Sequence, residues 1–498
     1  MPIGRRSVAD QMDIAVACCI MNNMNSPFIM VIFGATGDLT QNKLFPGLLS
    51  LFNQGILPKD FYIIGFSRRD LDSENFRDYF EDLTGRKGWS EFSKHLFYEK
   101  GHFEEEEGYR NLTKKLLEID KKIGACITRF FYLATPPDNY ETILFNLLTT
   151  KLSEGCGHKT AQFTRIIIEK PFGKDLETAK SLDKKLAEMF DEKQIFRVDH
   201  YLAKETVQNM LAFRFANGIF EPVWNKDHID HVQITWGEEE GVGKRARFFE
   251  GIGMLRDVAQ NHLMQLLAAV AMEQPKSFTK EGLREARANV VKSIRKINTS
   301  EVDKYVVRAQ HAGHKDEKDV PKDSETETYV AMKLFVDTPR FENVPFYLRA
   351  GKKMAQNIVE ISVVFIQTCH ILFKEYGCPE VGNVLTFRIQ PDEGITLRII
   401  AKKPGHKLDL DTVNMKFAYK EDFGTSGLEA YEKILLDIFQ GDQSLFNRSD
   451  ELESSWELIT NILEGWKKNK SPLFEYQEGS WGPKEAYDLI RKDGKKWL

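Results

Sequence analysis

Apolar and polar positions follow two different rhythms along the chain. From Pro27 to about Asp199, short β-rich runs alternate with helical patterns such as KLFPGLLSLF (43–52); the runs are FIMVIFG (28–34), FYIIGF (61–66), RFFYLAT (129–135) and RIIIEKPF (165–172). That alternation predicts βαβ units on a parallel sheet. Beyond Asp199, HVQITW (231–236), ETYVAMKLFVD (327–337), VEISVVFI (359–366), VLTFRIQP (384–391), ITLRIIAK (395–402) and TVNMKFAY (412–419) alternate with a period of two. This is the pattern of a half-buried antiparallel sheet. Two helices lie between the regions, from about Lys204 and about Leu255, and the charged, Pro-containing stretch from His311 to Glu325 reads as a long exposed loop. The expected fold class is α/β plus α+β, with one domain over residues 27–199 and a larger one, with a mostly antiparallel β-sheet, over residues 200–498. Residues 1–26 read as a poorly ordered extension.

Length agrees with this division, because 498 residues are too many for one ordinary core. With 42% apolar and 29% charged residues the composition is that of a globular protein, and a formal net charge of −5 gives no support to a nucleic-acid partner. Any phosphate-bearing ligand then needs local basic residues. The six cysteines, Cys18, Cys19, Cys126, Cys156, Cys369 and Cys378, form no CxxC pair and no zinc-like spacing. They read as reduced thiols of a cytoplasmic protein with no disulfide framework. The apolar run Ile14 to Met21 follows Arg5 and Arg6, but Asp13 interrupts the approach and no small-residue cleavage site follows. No run approaches the roughly 18 apolar residues of a membrane span.

In VIFGATGDL, Gly34 and Gly37 stand directly after a strand and before a helix, where backbone N–H groups can approach a pyrophosphate. The expected first domain is thus Rossmann-like and dinucleotide-binding. The spacing is GxxGxxL, which a purely structural strand-to-helix turn fits equally well. The next strand ends in Ser67-Arg68-Arg69, where an NAD enzyme usually carries an acidic residue. A guanidinium there favours the 2′-phosphate of NADP, although exposed arginines at a strand end are often only solvated.

In IFRVDHYLAKETVQNML, His200, Tyr201 and Lys204 gather at the start of a helix, an arrangement suited to a dianionic phosphate. The same residues fit a packed helix cap with a solvated lysine. The helix LRDVAQNHLMQLLAAVAM buries Leu263, Leu266, Leu267 and Val270 on one stripe, with His262 at its edge, so His262 is either a core histidine or a base. Asp257 lies five residues earlier, about 140° round an α-helix, which removes it as a close partner. Asp199 is the alternative carboxylate to orient the imidazole.

The segments FGATGDLTQNKLFP, IIIEKPFGKDL, RVDHYLAKETVQN, GMLRDVAQNHLMQLL and VPFYLRAGKK, followed by IQPDEGI and YEKILLDIFQGDQSLFNRSDELESSW, resemble in sequence and order those of glucose-6-phosphate dehydrogenases. The resemblance covers nearly everything after Pro27. It implies that Gly34, Ala35, Thr36, Gly37, Asp38, Leu39, Thr40, Gln41, Arg68, Tyr140 and Lys170 hold NADP, with Glu169 near the nicotinamide. It assigns the sugar phosphate to His200, Tyr201 and Lys204, and the sugar hydroxyls to Lys170, Glu238, Asp257, Lys352 and Gln390. The implied reaction oxidises glucose 6-phosphate to 6-phosphogluconolactone, the first step of the oxidative pentose phosphate pathway. His262 would take the C1 hydroxyl proton, Asp199 would orient it, and no metal is needed. A homodimer on the large sheet, or a dimer of such dimers, is also implied.

Three departures stand out. Asn357 occupies a position usually basic and substrate-binding in the family. Arg247 precedes Phe248 where small residues are usual, and Ala203 replaces a common glycine. Ile358 and Ser362 replace basic residues of a second, structural dinucleotide site, which implies that this site is absent. Asn357 also motivates a related hexose phosphate as substrate. A non-catalytic dinucleotide-binding protein is a third reading, opposed by the presence of both His262 and Asp199.

Overall fold

The computed structural model describes residues 26–155, 164–424 and 427–498. They form two compact units. The first comprises the described residues up to Phe172 together with 180–200 and 428–447, and the second comprises 173–179, 201–427 and 448–498.

The first unit is built on a sheet of β1 (Phe28–Phe33), β2 (Phe61–Ser67), β3 (Leu96–Lys100), β4 (Thr128–Leu133), β5 (Thr164–Glu169) and β6 (Ile195–Val198). These strands pair in parallel, as the apolar runs predict. A short late strand, β15 (Phe446–Asn447), adds antiparallel to β6, giving the order β15-β6-β5-β4-β1-β2-β3. The strand order reverses at β1, which lies between β2 and β4. A parallel sheet opens a crevice beyond its carboxyl ends at such a point.

The second unit carries β7 (Ile229–Gly237), β8 (Val306–His311), β9 (Tyr329–Phe335), β10 (Pro345–Gly351), β11 (Ile358–Phe365), β12 (Val384–Gln390), β13 (Gly394–Lys402), β14 (Leu410–Ala418) and β16 (Leu473–Tyr476). Their order is β14-β13-β12-β11-β7-β10-β9-β8-β16. Pairing is antiparallel except between β7 and β10 and between β8 and β16. The period-two pattern does not reveal β10, because all seven of its residues are buried. Helix Glu205–Ala216 packs on β12, and the helical segment Leu255–Leu263 packs on β9, β10 and helix Ser449–Asn469. Their apolar side chains form the main core of the unit.

Three expectations need correction. Leu255–Leu263 winds as a π-helix before continuing as the α-helix Met264–Ala271, so its turns close at i→i+5. The loop after β8 is not exposed throughout, since His311, His314 and Ser324 are buried. Cys369 and Cys378 are joined in a disulfide, their Cα atoms 5.9 Å apart across the loop between β11 and β12, and Cys126 is disulfide-bonded too. The expectation of reduced thiols fails because chain reversal, which spacing does not reveal, brings Cys369 and Cys378 together. Cys18, Cys19, Cys156 and the extension before Ser26 lie outside the described residues.

Candidate active site

In the first unit a cleft of about 410 Å³ opens at the carboxyl ends of β1 to β4, lined among others by Gly34, Thr36, Gly37, Arg68, Arg69 and Thr135. Gly34 has φ +83°, and a Cβ there would lie 2.4 Å from the Ala134 carbonyl oxygen. Only glycine permits this close approach to the backbone that follows β4, at the mouth of the cleft. Gly37 N–H donates to Gly34 O at 2.9 Å and closes the turn. Within the predicted Gly34–Gln41 set, Ala35 and Thr40 are fully buried, Asp38 is exposed and Leu39 is half-buried. Gln41 donates to Asp82 at 3.3 Å. Arg68 and Arg69 are both exposed on the cleft, but Arg69 lies over the Tyr79 ring at 4.8 Å.

Glu169 ends β5, with Lys170 half-buried after it. Although part of Glu169 is accessible, its carboxylate accepts from the Tyr132 hydroxyl at 2.6 Å and the Tyr431 hydroxyl at 3.2 Å. Burial is the main cause that raises its pKa to about 7; the two phenols and Lys170 oppose this, and the charge of Asp199 adds to it. Tyr140, at the start of helix Tyr140–Thr149, donates to the Glu169 carbonyl at 2.8 Å. Tyr431 also faces the His200 ring, with centroids 6.1 Å apart. It therefore links Glu169 with His200. Asp199 is buried directly after β6.

In the second unit, Tyr201 opens the segment that leads into helix Glu205–Ala216, with Lys204 as its N-cap residue. Tyr201 donates to Gln390 Oε1 at 3.1 Å at the end of β12, and Lys204 Nζ lies 3.9 Å from Glu393. The Tyr201 ring centroid is 4.5 Å from that of His262 and 4.3 Å from that of Trp236. Trp236, in β7, stacks on His262 and donates from Nε1 to Glu238 Oε1 at 2.9 Å. Glu238 Oε2 in turn accepts from Lys352 Nζ. Gln390, Tyr201, His262, Trp236, Glu238 and Lys352 thus form one connected set on strand ends and the central helix. Trp236 belongs to that set, yet in the sequence it reads only as one position of a strand.

The buried residues of the helical segment Leu255–Leu263 include Asp257 and His262. The π winding puts these two residues about one turn apart on the same side, so the angular argument that excludes Asp257 applies to an α-helix and not to this one. Asp257 pairs with Arg245 at 3.2 Å. The start of the segment is held by a second residue without a sequence signal, Glu327, whose carboxylate accepts from Leu255 N–H at 3.1 Å. A Cβ on Gly253, at φ +70°, would meet that carboxylate at 2.1 Å. Burial raises the Glu327 pKa to about 7, against the stabilising backbone amides.

The three departures have defined surroundings. Asn357 donates to Glu239 Oε2 and accepts from Glu239 N–H, each at 2.8 Å, and so clamps the residue beside Glu238. Arg247 makes an exposed pair with Asp319 at 3.4 Å, of the kind that contributes little. Ala203 and Ile358 are buried, and Ser362 bonds Thr386 across β11 and β12 at 3.0 Å.

Family models described as the glucose-6-phosphate dehydrogenase NAD binding domain and C-terminal domain match residues 31–209 and 211–498. The chain is 42% identical over 493 residues to the glucose-6-phosphate 1-dehydrogenase of Chlamydia pneumoniae, covering 95% of this chain and 96% of that one. It is 40% identical to that of Borreliella burgdorferi over 94% of this chain and 98% of the relative. A solved glucose-6-phosphate dehydrogenase in complex with its substrate glucose-6-phosphate is similar, with a TM-score of 0.87 and 32% identity over 96% of this chain and 99% of its own. The chain belongs to the glucose-6-phosphate dehydrogenase family.

Proposed function

We propose that this oxidoreductase converts D-glucose 6-phosphate to 6-phospho-D-glucono-1,5-lactone, the entry step of the oxidative pentose phosphate pathway, with NADP+ as acceptor. The observation that carries the reading is His262 clustered with the Tyr201 and Trp236 rings, Trp236 in turn bonded to the Glu238–Lys352 pair. His262 takes the proton of the C1 hydroxyl, and Asp199 orients the imidazole and stabilises its charged form. The nicotinamide, when bound, accepts the hydride from C1. The sugar phosphate is held by His200, Tyr201 and Lys204, the last supported by its place at a helix N-terminus. Lys170, Glu238, Asp257, Lys352 and Gln390 hold the sugar hydroxyls. Gly34 through Gln41, Tyr140 and Lys170 hold the coenzyme, with Glu169 near its nicotinamide. Preference for NADP rests on Arg68, exposed at the rim of the cleft after β2, where a 2′-phosphate needs a cation.

The protein also forms a homodimer in this reading. Support comes from β14, almost wholly exposed, with Val413 46% and Met415 60% accessible. Among the described residues no helix is long and apolar enough to cross a membrane. A cytoplasmic location is proposed from the charged phosphosugar and the coenzyme, since the cysteines no longer argue for it. Following nicotinamide absorbance with a panel of hexose phosphates against NADP and NAD tests the whole reading. Reduction of NADP with glucose 6-phosphate at the highest kcat/KM is expected, and no reduction with any sugar phosphate would remove the enzymatic reading.

A further inference from the structure

Outside the residues assigned to sugar phosphate and coenzyme, the end of β8 and the turn after it gather a second set of ionisable side chains. His311, His314 and Glu317 are spaced H-x2-H-x2-E. His311 Nε2 lies 3.0 Å from Glu317 Oε1, and His314 Nδ1 lies 4.0 Å from the same oxygen. One donor atom from each residue falls within 4.8 Å of the other two. A tetrahedral zinc ion with bonds of about 2.0–2.2 Å needs donor separations of roughly 3.3 Å, so small side-chain shifts suffice.

Both imidazoles are buried, His311 to 1% exposure and His314 to 0%. Among the described residues neither ring nitrogen of His314 has a hydrogen-bond partner, although the side chain is fully enclosed. Buried polar groups are nearly always satisfied, so an unsatisfied imidazole next to a carboxylate calls for an occupant. The outer shell is in place as well. The Glu478 carboxylate lies 3.3 Å from His311 Nδ1, the position from which a carboxylate orients a ligating histidine. Glu317 accepts from Val242 N–H at 3.3 Å and Gly243 N–H at 3.0 Å. Glu317 and Glu478 both line an open cleft, which gives an ion its entry path.

We propose that His311, His314 and Glu317 form a binding site for a divalent transition cation of the zinc type. Two imidazoles and one carboxylate suit Zn²⁺ or Co²⁺ and leave a fourth position for water. The ion fixes Glu317 and, through its bonds to Val242 and Gly243, the loop that runs from Glu238. It takes no part in removing the C1 proton.

The test uses the full chain, stripped with a chelator and free of sugar phosphate and coenzyme, titrated with Zn²⁺ against a chromophoric chelator. One tight equivalent is expected, and Co²⁺ in its place should give the strong visible absorption of a four-coordinate site. Glu478→Gln changes an accessible residue outside the ligand set and should weaken binding about 10- to 100-fold while glucose 6-phosphate turnover shows the protein folded. His314→Gln should abolish the equivalent. The proposal is overturned if the wild-type chain binds no saturable equivalent, if folded His314→Gln retains it undiminished, or if His262→Gln is the variant that loses it.

Discussion

The rings of Trp236 and His262 lie parallel to within 2°, with their centroids 5.1 Å apart. The indole lies flat against the imidazole while its Nε1–H donates to Glu238, so one strand residue touches both the proposed base and a proposed sugar-binding carboxylate. A base of fixed orientation needs no reorganisation when the proton moves.

Trp236→Phe keeps an aromatic face against His262 and removes the bond to Glu238. A hydrogen bond to a charged group is worth about 1.5–3 kcal/mol, so KM for glucose 6-phosphate should rise roughly tenfold or more, with kcat changed less. Steady-state kinetics at saturating coenzyme measures the split, and an unchanged KM would mean that Glu238 does not contact the sugar.

Arg68→Ala should raise KM for NADP by about one to two orders of magnitude, the loss expected of a charged hydrogen bond, and leave KM for NAD nearly unchanged. Parallel kinetics with the two coenzymes reads this directly. Equal losses for both would move phosphate recognition to Arg69, whose guanidinium lies over Tyr79.

Glu327 predicts a pH dependence of stability. Its pKa of about 7 in the folded chain exceeds the ordinary value of 4.5, so between these pH values the folded state binds more protons than the unfolded state. Stability therefore falls as pH rises through that window, by up to roughly 1.4 kcal/mol per pH unit for this group. Glu327→Gln retains an acceptor for Leu255 N–H and removes the titration. Thermal midpoints across the window should decline less steeply in the variant; the same slope in both would refute the assignment.

The parallel sheet and most of the antiparallel one were legible because burial on one or two faces writes itself into the apolar pattern. The strand β10 was not, since all its residues are buried and period two disappears. The π winding of Leu255–Leu263 was hidden for another reason. The carboxylate bonded to its first residue comes from Glu327, just before β9 and about seventy residues later, and no local pattern carries that. Gly34 was legible as a turn glycine because its place after β1 leaves no room for a Cβ, whereas Trp236 and Tyr431 take their surroundings from what they touch across the fold. The pairing of Cys369 with Cys378 depends likewise on the path of a loop.

The central claim is that His262 removes the C1 proton of glucose 6-phosphate. Its most direct test is the rate of NADP reduction by His262→Asn beside the wild-type chain, at saturating glucose 6-phosphate and coenzyme. A positioned general base contributes about 10²–10⁴ in rate, so kcat should fall by that factor with KM for the sugar phosphate nearly unchanged. Turnover by His262→Asn at the wild-type rate would contradict the account.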